Sequence, residues 1–360
     1  MHQILEIYTY SRSSIGGVSI MIESYMDGVT EFAENDCRLE LLNVPASVKT
    51  GKSAIDNLAY IFIQRKAVCK YLKHHTYDVV HIHTSREFLF LKDILLAKMI
   101  NQKFHIPVVM TIHVGAMETV FNRIGWFKKH ALSIMNKYID KSIFLSKVMQ
   151  DEFITSGLQS DRATVLYNFH NLVAADIPVR KDSKTLQLLF VGMLNKDKGI
   201  IELLTALSEM PELDYHLNVC GKLVDKSIEA ELESLKGKLG DKVSFLGYVV
   251  GEDKTKLFHN SDMLILPSYH EGLPIVIMEA LAAGCAIMST RVGAIPEVLS
   301  DENCYWIDIA SVKSIMEKLQ SLKKNELSDQ QNANQKLGLE YSFAGHVRRL
   351  SDIYKSLNKV

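Results

Sequence analysis

Two carboxylates, Glu271 and Glu279, stand eight positions apart in HEGLPIVIMEALAAG (270–284), separated by a glycine, a proline and an apolar run. The preceding MLILPS reads as a short buried strand, and IVIMEALAA reads as a helix stopped by Gly284 at its C′ position. Pro274 suits the first helical position. Glu271 then belongs to the strand-to-helix turn, and Glu279 lies about a turn and a half into the helix. Backbone N–H groups at such a helix start attract an anion. A carboxylate one turn deeper would repel a phosphate beside it, but it accepts hydrogen bonds from a diol such as a ribose. Burying Glu279 without a partner is costly, so a structural salt bridge is the plain alternative.

A second constellation is LLFVGMLNKDKGIIELL (188–204), a strand followed by Gly192, Lys196 and Lys198–Gly199, then a helix. A lysine at a helix start after a strand is placed to meet a phosphate. The order is not that of a P-loop. In the first half, Gly16–Gly17 in SRSSIGGVS follows a strand and precedes a helix, which suits close backbone approach to a phosphate. A plain tight turn fits equally well. His81 and His83 alternate on one face of DVVHIHTS. They suggest a metal pair only weakly, because no further ligand is apparent. His113 ends PVVMTIH, where an imidazole can donate to an anionic or hydroxyl-bearing ligand or sit as a satisfied structural group.

These residues need elements to hold them at strand ends, and the chain supplies those in alternation. QILEIYTY, RLELLNV, DVVHIHTS, PVVMTIH, KSIFLS and ATVLYNF read as strands separated by helical patterns such as AIDNLAYIFIQRKAVCKYLKHH. After a polar stretch, NLVAADIPVRKDSKT (171–185), the alternation restarts with LQLLFVGML, YHLNVCGK, VSFLGYV, MLILPS, CAIMST and CYWIDI. Such alternation predicts α/β architecture: two Rossmann-like, doubly wound parallel sheets facing across a cleft. The amphipathic segment 343–360 could cap its own domain or cross back to brace the first. The expected domains are 1–170 together with that C-terminal helix, 343–360, and 171–342. Ligands in such sheets collect beyond the carboxyl ends of the strands.

The 360 residues suit about two domains. A formal net charge of −1 argues against nucleic acid as a partner. The charge is uneven, however, with 15 Lys and Arg against 6 acids over residues 51–150. That segment suits an anionic membrane surface or phosphate, or simply solvated helix faces. Five scattered cysteines without a CxxC pair suggest a reducing compartment and no metal framework. The N-terminus lacks the apolar core of a signal peptide. FLFLKDILLAKMI is interrupted by Lys92, Asp93 and Lys98, so no spanning helix is expected.

The stretch PSYHEGLPIVIMEALAAGCAIMSTRVGAIPEVL resembles the glutamate-x7-glutamate signature of family 4 glycosyltransferases, retaining enzymes of the GT-B fold that use nucleotide sugars. The glycine turn, DVVHIHTS, PVVMTIH, VLYN, VGMLNKDKG, NVCGK, VSFLGYV and the tyrosine-bearing last helix follow in family order. The resemblance implies that Glu279 holds the ribose, and that Glu271 with the backbone of Gly272 and Leu273 contacts the donor sugar. It also implies that Lys198 neutralises the diphosphate, that Gly16–Gly17 lets the first domain close over the phosphates, and that His113 contacts the sugar near its reacting carbon. Where the family commonly has Gly-Arg-Leu, this chain has Gly192-Met193-Leu194. Met193 cannot replace the arginine clamp, which leaves Lys196 as a partial substitute. Pro274 offers no amide for a backbone contact.

The expected activity is transfer of a sugar from a nucleoside-diphosphate sugar, UDP-sugar favoured, to a hydroxyl with retention of configuration. No metal or other cofactor is expected. RIGWFKKH (123–130) places aromatics among cations, as at a membrane interface. The expectation is therefore a cytoplasmic protein, peripheral on the inner face of the plasma membrane, acting on a lipid-linked saccharide in cell-surface polysaccharide biosynthesis. The competing readings are a GT-B sugar-nucleotide epimerase or phosphorylase, and a non-catalytic nucleotide-sugar-binding protein.

Overall fold

The computed structural model describes residues 1–8, 17–44, 53–84, 87–113, 127–172 and 185–357. The chain forms two compact units, Met1–Tyr167 with Phe343–Val360, and Asn168–Ser342.

The first unit carries strands β1 (His2–Tyr8), β2 (Cys37–Asn43), β3 (Val79–Thr84), β4 (Val108–Ile112), β5 (Lys141–Phe144) and β6 (Ala163–Val165). All six pair in parallel, in the order β2-β1-β3-β4-β5-β6. Their apolar runs are buried along their whole length in β3 and β4, as expected where helices cover both faces. The order reverses between β1 and β3. Helices α1 (Gly17–Asp27), α2 (Val29–Glu34), α3 (Ser53–Leu72), α4 (Glu87–Phe104), α5 (Phe127–Tyr138) and α6 (Lys147–Thr155) supply the connections. In α4, Lys92 and Asp93 are themselves buried as an ion pair at 2.9 Å. Burial pushes the Asp93 carboxyl upward against the pull of Lys92. Two of the three charges that interrupt the apolar run, Lys92 and Asp93, therefore lie inside the unit, while Lys98 is half-buried. No described helix is long and apolar enough to cross a membrane.

The second unit repeats the plan with β7 (Leu186–Val191), β8 (Tyr215–Cys220), β9 (Val243–Gly247), β10 (Met263–Leu266), β11 (Ala286–Thr290) and β12 (Tyr305–Ile307). Its parallel order is β12-β11-β10-β7-β8-β9. From β7 the chain builds outward through β8 and β9, then returns to add β10 on the other side. The switch point is thus the gap beyond the carboxyl ends of β7 and β10, where an open α/β sheet leaves a crevice. The helices that follow β7 to β10 are α7 (Ile200–Ser208), α8 (Glu229–Leu239), α9 (Gly251–His259) and α10 (Ile275–Ala282). Beyond them come α11 (Ile295–Val298), α12 (Val312–Ser321) and α13 (Lys324–Gly338).

The last helix, α14 (Phe343–Ser356), belongs to the first unit. Its apolar stripe is buried through Val347, Leu350 and Tyr354. His346 on the same helix is buried as well; Tyr25 of α1 donates to its Nε2 at 2.7 Å, and its Nδ1 donates to the Tyr167 carbonyl at 3.2 Å. Crossing back is therefore the option the chain takes, because this stripe matches the first unit's buried face.

Candidate donor site

At the switch point of the second unit, the chain after β7 makes a single 3-10 turn, Lys196–Lys198, capped by the Asn195 side chain, which accepts from the Lys198 amide. Gly199 follows with φ +66° and starts α7. A Cβ there would stand 2.1 Å from the Pro267 carbonyl oxygen, so only glycine lets the Lys198 turn approach the β10 segment this closely. The turn is tied to that segment by the Tyr269 amide, which donates to the Asp197 carbonyl at 2.7 Å.

The consequence is that Lys198 and Glu271 meet. Lys198 Nζ lies 2.6 Å from Glu271 Oε1, and Ser268 Oγ donates to the same oxygen at 2.7 Å. Ser268 is fully buried, and its carbonyl accepts from Thr290 at 2.6 Å. The turn that carries Glu271 and Gly272 is pinned from behind by Gly293, whose φ is +56°. A Cβ on Gly293 would meet the Glu271 and Gly272 carbonyl oxygens at 2.2 and 2.6 Å. The Ala294 amide donates to the Gly272 carbonyl. Leu273 is buried, and its carbonyl accepts from Asn168 Nδ2 at 2.6 Å.

Pro274 departs from the sequence expectation by one residue: it is the N-cap of α10 rather than its first residue. Its φ of −69° is combined with an extended ψ of 128°, so its carbonyl accepts from the Ile277 amide. No side chain caps this helix start, which leaves its first amides open to an anion. The helix ends as expected, with Gly284 at φ +62° and the Cys285 and Gly284 amides closing on Ala280 and Leu281 in a Schellman arrangement.

Glu279 is buried on α10. Its Oε1 is 2.6 Å from Lys254 Nζ on α9, while Oε2 is buried with no hydrogen-bond partner among the described residues. The salt bridge and the open acceptor thus coexist on one carboxylate. An orphaned buried oxygen is costly, and a hydroxyl delivered by a ligand would relieve it.

Gly192 follows β7 and borders this group: a Cβ there would meet the Phe190 ring at 3.6 Å and Lys198 Cγ at 3.8 Å, ordinary contacts, so sterics do not demand glycine. Met193 and Lys196 are exposed; the charge of Lys196 acts on Asp225. Gly16 lies outside the described residues, and Gly17 is the first residue of α1. His113 follows β4, with its amide on the Thr84 carbonyl and its Nε2 3.1 Å from His83 Nδ1. Burial, reinforced by neighbouring imidazoles, holds His113 well below the usual histidine range.

Around His83 is a cluster the sequence only half revealed. His81 and His83 do share a face of β3, with ring centroids 4.2 Å apart. The group that joins them is Glu6 of β1, fully buried, 2.9 Å from His81 Nδ1 and 2.6 Å from His83 Nε2. Its signal was present as the only acid in the apolar strand HQILEIY. Lys254, Ser268, Asn168 and Gly293 were also missed. They carry no local pattern and matter only through the fold.

Two family models match the chain, Glycosyltransferase Family 4 over residues 29–173 and Glycosyl transferases group 1 over residues 176–337. The chain is a group 1 glycosyltransferase. It is 26% identical to a 41.2 kDa protein of the cps region of Klebsiella pneumoniae, over 70% of each chain. It is 22% identical to the Methanocaldococcus jannaschii glycosyltransferase MJ1178, over 87% of this chain and 86% of that one. In fold it resembles a glycosyltransferase from Rickettsia africae, with a TM-score of 0.75 at 18% identity over 99% of both chains. It also resembles the Anabaena protein Alr3699/HepE, solved in complex with UDP and glucose, with a TM-score of 0.71 at 14% identity over the full length of both. The α/β architecture of this glycosyltransferase, two parallel six-stranded sheets with helices, is that of GT-B enzymes.

Proposed function

We propose that this glycosyltransferase moves a sugar from a nucleoside-diphosphate sugar to a hydroxyl acceptor with retention of anomeric configuration. The observation that carries the reading is the grouping at one switch point of Lys198, Glu271, an uncapped helix start and a buried carboxylate with one open oxygen. In this reading the open Oε2 of Glu279 accepts from a ribose hydroxyl. Lys198 and the amides at the start of α10 neutralise the diphosphate, so no metal is required. Gly272 and Leu273 line the sugar with Glu271, and His113 contacts the sugar near its reacting carbon. Gly16–Gly17, Gly192 and Lys196 complete the donor contacts, with Lys196 standing in part for the arginine that Met193 replaces.

The leaving diphosphate gains charge in the transition state, and fixed cations and amides aimed at it lower the barrier. The departing phosphate oxygen takes the acceptor's proton, so no protein base is needed at that step. Glu271 is held by Lys198 and Ser268 on the same oxygen, which suits a sugar-binding or cation-stabilising group better than a nucleophile.

UDP is the favoured nucleotide, supported by the structural resemblance to a protein that binds UDP and UDP-glucose. The relative in a Klebsiella cps region supports a lipid-linked saccharide acceptor in cell-surface polysaccharide biosynthesis. Exposed Phe62 on α3, beside exposed Arg65 and Lys66, and exposed Phe127 before Lys128 and Lys129 support a peripheral position on the inner face of the plasma membrane.

A thermal-shift screen of sugar nucleotides, followed by chromatography of the nucleotide released from any that stabilise, tests the reading. Stabilisation by a UDP-sugar and slow release of UDP are expected. Stabilisation by NAD or ATP, with none by sugar nucleotides, would overturn it.

A further inference from the structure

Two turns of the second unit must stay in register for Lys198 and Glu271 to meet. Lys198 ends the 3-10 turn after β7, and Glu271 lies in the turn between β10 and α10. Their contact is 2.6 Å long, so a slip of either turn by about 1 Å would break it.

Tyr269 bridges the two turns at both of its ends. It lies between Ser268 and Glu271 in the chain. Its amide donates to the Asp197 carbonyl at 2.7 Å, next to Lys198. Its hydroxyl donates to Glu202 Oε1, in the first turn of α7. Burial, the hydrogen bond to Glu202 and the nearby carboxylates push the Tyr269 phenol up to about 12. At neutral pH it is therefore a donor.

Glu202 depends on this bond. Its Oε2 is buried with no partner among the described residues, so Tyr269 supplies the only hydrogen bond that the carboxylate accepts from them. Without the hydroxyl, three ties between the turns remain among the described residues. They are the Asp197 carbonyl, the packing of Gly199 on Pro267, and the Lys198–Glu271 pair itself.

We propose that Tyr269, through Glu202, is a positioning residue that holds Lys198 in register with Glu271 and so aims the lysine at the leaving diphosphate. This rests on the reading of Lys198 and Glu271 as donor contacts. A misplaced cation costs most where the diphosphate gains charge, which is the transition state. The loss therefore falls on kcat.

Tyr269→Phe removes one oxygen and keeps the ring and the amide bond to Asp197. Release of nucleotide is followed with the sugar nucleotide that stabilises the native protein most in the thermal-shift screen. The kcat should fall by about 10- to 100-fold, with KM unchanged within about threefold. Glu202→Leu breaks the same bond from the other side and should lower kcat by a similar factor, so a Tyr269→Phe protein that fails to fold does not shield the proposal. The double variant Tyr269→Phe/Glu202→Leu should be no slower than either single one, because both remove one bond.

The double variant also separates positioning from mere stability. Tyr269→Phe strands a buried carboxylate, and its urea midpoint should drop. Removing both partners leaves no stranded group, so the midpoint should recover. The tie between the turns is still missing, so kcat should stay low. A double variant with recovered midpoint and native kcat means a merely structural role and overturns the proposal. So does Tyr269→Phe or Glu202→Leu with native kcat, and so does a loss that lies wholly in KM. If the native protein releases nucleotide from no sugar nucleotide, the donor-site reading itself fails and the role of Tyr269 falls with it. Native turnover that both single variants retain removes the role of Tyr269 alone.

Discussion

Lys254 Nζ holds one oxygen of Glu279 at 2.6 Å, and the other oxygen of that carboxylate is buried and without a partner among the described residues. The lysine fixes the carboxylate's rotation, so the open oxygen keeps one direction whether or not a ligand is present. Glu279→Ala should therefore weaken binding of UDP far more than it alters turnover of donor already bound. One hydrogen bond to a charged acceptor, about 1.5–3 kcal/mol, corresponds to roughly 10- to 100-fold in Kd. Lys254→Met leaves a mostly buried charge without its partner and should cost about 3 kcal/mol of stability. Calorimetric titration with UDP and chemical denaturation separate the two effects. A Glu279→Ala protein that binds UDP like the native one would remove the ribose assignment.

The Lys198–Glu271 pair behaves differently, because each partner serves a different part of the proposed donor. Lys198→Ala should lower kcat for UDP release by about 100-fold or more, as loss of a charge-stabilising donor does in other enzymes. Glu271→Gln keeps the shape and the Ser268 contact, so UDP affinity should stay within about threefold while kcat falls. Steady-state kinetics alongside UDP titration reads both. Unchanged turnover in Glu271→Gln would show that the carboxylate's charge has no part in transfer.

How far the sequence spoke for itself differs between these residues. All twelve strands among the described residues were legible from apolar runs bounded by turn residues, and Lys198 and Glu271 from their positions after strands. Their mutual contact was not legible, because 73 residues separate them and only the return of β10 beside β7 brings them together. Lys254 sits on a polar helix among several lysines, with nothing local to mark it. Glu6 was legible in principle: an acid in an apolar strand poses the same question that Glu279 poses in an apolar helix. Pro274 was misplaced by one residue because its fixed φ serves the N-cap as well as the first helical position. Gly16 and Trp126 fall outside the described residues.

Acid should destabilise the protein in a window set by buried histidines. Burial lowers His346 to about 3, against the pull of the Tyr167 carbonyl. The folded state therefore refuses a proton that the unfolded chain accepts below about 6.5. Stability from this residue is complete above pH 6.5 and is lost as pH falls from there toward 3. At pH 5 the loss amounts to about 2 kcal/mol for this one group. His346→Gln, which has no such proton to take up, should be less stable than the native protein at pH 7.5 but lose less between pH 7.5 and 5. Urea midpoints at the two pH values read the difference. Equal losses in both proteins would place the acid sensitivity elsewhere.

The membrane reading makes a prediction on α3. Phe62 is 69% exposed, and Lys66 and Lys70 follow at successive helical turns, with Arg65 alongside. An aromatic set among lysines on one helix face suits the boundary between headgroup and acyl chain. Each basic side chain near an anionic surface adds about 1 kcal/mol, so Lys66→Glu should weaken binding to phosphatidylglycerol vesicles by about tenfold or more. Phe62→Ser removes the apolar contact and should weaken it further. Raising the salt to about 0.5 M should release the native protein, because exposed charges are then screened within a few ångströms. Co-sedimentation with vesicles at low and high salt reads all three. Native protein that stays in the supernatant at low salt would end the membrane proposal and leave the basic residues of 51–150 as solvated helix faces.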